Sequence, residues 1–154
     1  MSEKTILTGP EVRVMRPDDL EAVVEIDAKV FGQRRPEYYE RKIAHALDKT
    51  QQLVTSLVIE VEGDVAGFIM GEVYLGEFGL PETTATIDTI GVDPIYQGRG
   101  MGAALFEEFV SHLRRVGVQS IITRVNWNDW GLLRFFERVG FSPANIMNLE
   151  LVLE

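Results

Sequence analysis

The sequence predicts a mixed α/β sheet with helices on both faces, and three observations carry that expectation. Short β-branched runs recur along the 154 residues, and segments with apolar residues three and four apart separate them. The order of the two kinds of segment reads β-αα-β-β-β-α-β-α-β. A hydrophobic share of 45% suffices for one domain with a real core, expected to span residues 1–154.

The elements follow in order. Val12–Met15 alternates as a strand. "RPDDLEAVVEIDAKVF" starts a helix, with Asp18 as cap, Glu21 three residues on, an apolar stripe at Leu20, Val23, Val24 and Ile26, and Gly32 as the stop. "RPEYYERKIAHAL" restarts at Pro36, with Tyr39, Ile43 and Leu47 on one face. Leu53–Val61 and Val65–Leu75 flank the turn residues Glu62-Gly63-Asp64 as a hairpin, and Gly67 and Gly71 suggest a bulge or a close backbone approach. "GEFGLPETT" is a loop.

"TATIDTIGVDP" is the next strand. Its apolar parity switches between Ile87 and the pair Ile90 and Val92, so either both faces are covered or a bulge intervenes. A helix through Leu105, Phe109 and Leu113 ends at Gly117, and "VQSIITRVN" is a strand. "NDWGLLRFFERVG" is a helix, and "IMNLELVLE" reads as a terminal strand with Val152 out of phase.

Composition excludes several function classes. There is no cysteine, so disulfides and thiolate metal sites are out, and His45 and His112 do not stand in a metal-ligand pattern; no metal is expected. A net charge of −9 argues against nucleic-acid binding and suits a cationic partner. No apolar run is long enough to span a membrane, and Met1–Pro10 lacks the apolar core of a secretory signal, so a cytoplasmic protein is expected.

The stretch "VDPIYQGRGMGAAL" carries the chemistry. A strand, a glycine-rich turn and a helix start together form an anion site, because helix N-terminal N–H groups point outward and the dipole adds positive charge. Arg99 is a possible charge partner for a phosphate. Gly98, Gly100 and Ala103 satisfy G-x-G-x-x-A, which leaves a dinucleotide open. Against it, Arg124 and Asn126 stand where an acidic ribose ligand is expected.

"IDTIGVDPIYQGRGMGAALFEEFV" resembles the acetyl-CoA-binding motif of the GNAT superfamily of N-acetyltransferases, Q/R-x-x-G-x-G/A after a strand ending in V-D-P. "LLRFFERVGF" resembles the same family's next block, and the opening strand and helix its first, so the likeness covers essentially the whole chain. It implies the GNAT fold, with a central sheet splayed beside the glycine loop, and acetyl-CoA as the acyl donor. Ile90, Gly91 and Val92 would lie along the pantetheine, with a Val92 N–H polarising the thioester. Gln97, Gly98, Arg99, Gly100, Met101 and Gly102 would wrap the pyrophosphate.

The resemblance also has departures. The family's usual tyrosine and asparagine near the cofactor are here Phe136 and Asp129, so both join the cofactor-binding set without the tyrosine's acid role. Asp129 also reads as a helix cap. Tyr74 and Tyr96 are replacements by residue type alone. For the base that deprotonates an amine acceptor, Asp88 is the first choice, on the side of Ile90 and Val92 if the strand is regular, and Glu72 the second. Arg34, Arg35 and Tyr38 sit where the family borders its acceptor, and Trp127 and Trp130 could line an acceptor pocket but read first as packing aromatics. The function implied is direct acetyl transfer from acetyl-CoA to a primary amine; the alternative is a non-catalytic acyl-CoA-binding module. Dimerisation is common in the family, so a homodimer is compatible.

Overall fold

The computed structural model describes residues 9–46, 56–75 and 83–154. The chain divides into two compact units, Met1–Thr123 and Arg124–Glu154.

The first unit holds β1 (Glu11–Val14), α1 (Leu20–Phe31), α2 (Pro36–Ala46), β2 (Ser56–Val61), β3 (Asp64–Leu75), β4 (Thr83–Val92), α3 (Met101–Arg115) and β5 (Ser120–Thr123). The strands form one sheet in the order β1-β2-β3-β4-β5. All pairings are antiparallel except β4 with β5, which α3 connects in parallel. The expected loop at 76–82, and Leu47 and Leu53, lie outside the described residues.

Both faces of the sheet are covered, as the apolar run in β2 requires. Leu57, Val58 and Ile59 are consecutive and all buried. On one face Val58, Phe68 and Met70 pack with Val23, Val24 and Ile26 of α1 and with Tyr39 and Ile43 of α2. On the other face α3 lies so close that β3 has no room for side chains at two points. A Cβ on Gly67 would stand 3.2 Å from Leu105 Cδ1, and one on Gly71 would stand 2.8 Å from Phe109 Cζ. The β2–β3 turn puts Glu62 at φ 52° and Gly63 at φ 86°, the left-handed pair of a two-residue hairpin.

Where α1 begins, the structure corrects the expected cap. Asp18 is exposed, whereas Asp19 is buried. Pro17 opens a single tight turn ahead of the helix, which carries Asp19 round to face β1. There Arg13 grips it bidentately, at 2.8 and 2.7 Å, and the Arg16 N–H donates to it at 2.7 Å. Gly32, at φ 91°, closes α1 as expected. Asp27 then joins the two helices: Arg35 donates to it twice and the Tyr39 hydroxyl at 2.7 Å.

The parity switch in β4 is a bulge. Met70 pairs with Thr89 and Gly71 with Ile87, so Asp88 has no partner in β3. Ile87, Ile90 and Val92 therefore share the α3 face, although their numbering alternates. Asp88 and Thr89 both turn to the α1/α2 face, Asp88 to Lys42 and Thr89 to Tyr39. This corrects the expectation for a regular strand, which placed Asp88 with Ile90 and Val92.

Within the second unit, α4 (Trp130–Arg138) is capped by Asp129, whose carboxylate accepts from the Leu132 N–H at 3.1 Å. Phe136 is 4% exposed and packs edge-on to Phe135 and Phe141. Two expectations fail in this unit. Residues 146–154 form no strand, because a strand's backbone needs a ladder partner and alternation alone provides none. Trp127, 93% exposed, and Trp130, 66%, are not packing aromatics.

Two outcomes test this account. Gly71→Ala would place a Cβ 2.1 Å from the Thr86 carbonyl oxygen as well as against Phe109, so β3 and β4 must shift. Urea unfolding should show a loss of about 3 kcal/mol or more. The second concerns Asp19. Burial alone would raise its pKa, but Arg13 and the Arg16 N–H outweigh that and hold it below the usual carboxylate range. A lowered folded pKa contributes stability above the unfolded value of about 3.9, and that contribution is lost as pH falls below it. Asp19→Asn should therefore be clearly less stable than the parent at pH 7, with the gap narrowing toward pH 3.

Candidate active site

The glycine loop folds as a short sequence of backbone decisions. After β4, Asp93 turns its side chain inward, where it accepts from Ile95 N–H at 3.2 Å and from Lys29 Nζ at 2.9 Å. Burial pushes its pKa up, and Lys29 with the Ile95 N–H reverses that, leaving it lowered. This anchors the tight turn Pro94–Tyr96. Gly98 and Gly100 then take φ 78° and 79°, in the left-handed region that side chains disfavour. Gly100 is the residue that caps α3, and no side chain caps that helix. The first N–H groups of α3, from Met101 through Ala103, have no intrahelical acceptor. Arg99 leans over the Tyr96 ring, 5.9 Å from its centre.

Beside this loop the sheet opens. β4 pairs with β5 only from Thr84 opposite Ser120 to Ile87 opposite Thr123. Thr123 Oγ1 donates to the Ile87 carbonyl at 3.0 Å and ends the ladder. From Asp88 to Val92 the β5-side edge of β4 has no strand partner among the described residues. The direction of the backbone groups follows from the other edge. Asp93 N–H donates to the Ala66 carbonyl, toward β3. Successive residues of a strand aim their N–H and C=O to opposite sides, so Ile90 and Val92 aim theirs into the opening and Gly91 away from it. The Val92 carbonyl is already taken by Gln97 Nε2 at 3.0 Å, which ties the loop to the end of the strand.

The two carboxylates proposed from the sequence sit together on the α1/α2 face. Asp88 accepts from Lys42 Nζ at 2.8 Å and from Thr86 Oγ1 at 3.0 Å. Glu72 accepts from the Tyr74 hydroxyl at 3.0 Å and lies 3.5 Å from His45 Nε2. Burial, then Glu72, raises the Tyr74 pKa. Desolvation would lower the Lys42 pKa, but Asp88 outweighs it and the ammonium is held more firmly protonated. Lys42, His45, Ser56, Met70, Glu72 and Asp88 line one recess. Ser56 Oγ is buried there without a hydrogen-bond partner.

The sequence reading found the carboxylates but missed their company. Lys42, His45 and Ser56 gave no signal because each belongs to another element, and only the bulge brings them to Asp88. Arg34 is engaged with Glu21 and Glu25, and Arg35 with Asp27, while Tyr38 is exposed with Arg35 over its ring. His112 lies 3.1 Å from Glu108 one turn back on α3. No group of three or more His, Asp or Glu at metal-binding distance occurs among the described residues. Asp129 and Phe136 belong to the second unit and have the local roles given above.

Residues 20–141 match the model of the acetyltransferase (GNAT) family. The chain belongs to that family. Among curated GNAT-type relatives, it is 29% identical to mycothiol acetyltransferase of Propionibacterium freudenreichii subsp. shermanii over 134 residues, covering 84% of this chain and 42% of that protein. It is 33% identical to the [ribosomal protein bS18]-alanine N-acetyltransferase of Escherichia coli K12 over 84 residues, covering 54% of this chain and 52% of that one. The chain thus spans about half the length of the curated relatives it matches. Its fold is shared with an aminoglycoside N-acetyltransferase solved in complex with CoA, at TM-score 0.77 and 14% identity, over 93% of this chain and 94% of that one. The GNAT fold is therefore the observed one, with the splayed sheet that the resemblance implied.

The loop geometry has a direct consequence for folding. Gly98→Ala and Gly100→Ala should each cost about 1–2 kcal/mol in urea unfolding, from left-handed backbone alone, since neither Cβ would meet another atom within 4 Å.

Proposed function

We propose that this chain transfers the acetyl group of acetyl-CoA to a primary amine by direct attack in a ternary complex. The observation that carries the reading is the loop 97–102, whose α3 N–H groups lie uncapped beside the opening where β4 leaves β5. Pyrophosphate oxygens suit those N–H groups and the helix dipole. The backbone groups of Ile90 and Val92 that face the opening suit the amide-bearing pantetheine arm, and the free Val92 N–H suits the thioester oxygen. The two curated relatives described above are named acetyltransferases, which favours turnover over the non-catalytic alternative.

The acceptor side follows from the carboxylates. An alkyl ammonium of pKa about 10 must lose a proton before its nitrogen attacks the thioester carbon. Asp88 is the proposed base, with Glu72 beside it as a second acceptor of positive charge. The nitrogen–carbon bond forms as the carbon–sulfur bond breaks, and the CoA thiolate leaves. With Phe136 in place of a tyrosine, that thiolate departs without an acid from this position; a thiol pKa of about 8.5 makes this tolerable near neutral pH.

Acetyl-CoA at about a hundred times its dissociation constant should stabilise the protein by about 2.7 kcal/mol, a rise of roughly 5–10 °C in melting temperature. Gly100→Val should remove most of that rise while the protein stays folded. Thiol release with an amine and peptide panel should show turnover, and Asp88→Asn should lower kcat by about 10²–10⁴. No melting shift with acetyl-CoA would sink the reading. Binding without turnover on any amine would leave only a binding module.

A further inference from the structure

Asp88 is already occupied by an ammonium. Lys42 Nζ lies 2.8 Å from Asp88 Oδ2 and 5.6 Å from the centre of the Tyr38 ring. A carboxylate with an aromatic face nearby is the environment that alkyl ammonium ligands select. We infer that Lys42 is a built-in competitor for the acceptor's ammonium: it holds Asp88 in the empty site and must be displaced before the acceptor binds. The inference rests on the reading that Asp88 receives the acceptor amine, and it names Lys42 as a residue that sets acceptor affinity and specificity.

Three observations distinguish this from a simple tie between α2 and β4. First, α2 is also fixed to the sheet through Tyr39, whose buried hydroxyl bonds Asp27 and lies 3.1 Å from Thr89 Oγ1, so a second tie holds the helix where Lys42 sits. Second, the recess holds more polar capacity than the Lys42–Asp88 pair uses: Ser56 Oγ is buried and unpartnered, and Ser56 is only 3% exposed. A hydroxyl there at that depth points to a polar group that arrives with a ligand. Third, the recess is anionic once Lys42 leaves, with Asp88 and Glu72 facing a single His45. In a chain of net charge −9 such a recess draws cations.

The class of acceptor follows. It carries an ammonium on a slim alkyl stem, able to follow the path of the Lys42 side chain past Tyr38, and a donor or acceptor that Ser56 Oγ can meet. A bulky or uncharged amine would not displace Lys42.

The test uses n-butylammonium chloride as probe, with sodium chloride at matched ionic strength as control, followed by amide NMR shifts at residues 87–89. Lys42→Met and Lys42→Gln should bind the probe about three- to tenfold more tightly than the parent. Lys42→Arg should not, and Asp88→Asn should abolish the response. In turnover assays with 1,4-diaminobutane and with a tripeptide bearing N-terminal alanine, KM should fall by the same factor in the two neutral variants. Unchanged or weaker probe binding in folded Lys42→Met and Lys42→Gln would overturn the inference, as would shifts mapping away from Asp88. Failure of both neutral variants to fold would make Lys42 a structural tie, which also overturns it. The two readings separate cleanly. Tighter probe binding with no acetylation of any amine counts against the transferase alone. Acetylation lost in Asp88→Asn with unchanged affinity in Lys42→Met counts against the competitor alone.

Discussion

Between Met70 and Gly71 two neighbouring residues of β3 face Thr89 and Ile87 of β4, and the chain of β4 has one residue more than the ladder can use. That extra residue, Asp88, does three things at once. It reverses the pleat, so Ile90 and Val92 rejoin Ile87 under α3. It leaves Asp88 and Thr89 on the same side, against α2. It also adds local twist, just where β5 stops pairing with β4. The bulge is possible because Gly71 has no side chain; any Cβ there would meet the Thr86 carbonyl. The recess that gathers Asp88 with Lys42 descends from this single insertion, and the β4–β5 ladder ends at the residue just before it.

Electrostatics divides the same region into two territories. The chain as a whole repels a phosphate, with a net charge of −9. The loop answers with backbone N–H groups rather than side-chain charge, and it turns its own carboxylate, Asp93, inward to Lys29 and the Ile95 N–H. A carboxylate left facing outward at that position would work against an anion on α3. On the α2 face the global charge works in the same direction as the local one, since Asp88 and Glu72 attract what the rest of the protein attracts.

How much of this was legible in the sequence depends on the range of the interaction. Local chemistry was readable: Gly32, Gly117 and Gly140 end their helices at positive φ, Glu62-Gly63 makes the hairpin turn, and Asp129 caps α4. The bulge was half-readable, because the parity of Ile87, Ile90 and Val92 showed that something changed without showing which residue was extra. The consequence for Asp88 was therefore drawn on the wrong side. Asp19 rather than Asp18 stands at the start of α1 and is buried, because Arg13 on β1 binds it, and that partner lies outside the local pattern. The recess was not readable at all. Lys42 and Ser56 are unremarkable in their own segments and meet Asp88 only through the fold.

The absence of a tyrosine hydroxyl at Phe136 shifts where the difficulty of the proposed reaction lies. A thiolate of pKa about 8.5 leaves a tetrahedral carbon more readily than an alkyl ammonium of pKa about 10 gives up its proton at neutral pH. Protonating the leaving group is thus the smaller need, and deprotonating the nucleophile the larger one. The arrangement of this chain follows that order. Phe136 packs edge-on between Phe135 and Phe141, while two carboxylates, a lysine and a histidine line the one recess to which the proposed reaction assigns the amine. Lys42 Nζ donates to Asp88 at 2.8 Å in the empty state, so in the proposed reaction an incoming ammonium meets a carboxylate already oriented to accept from an N–H donor.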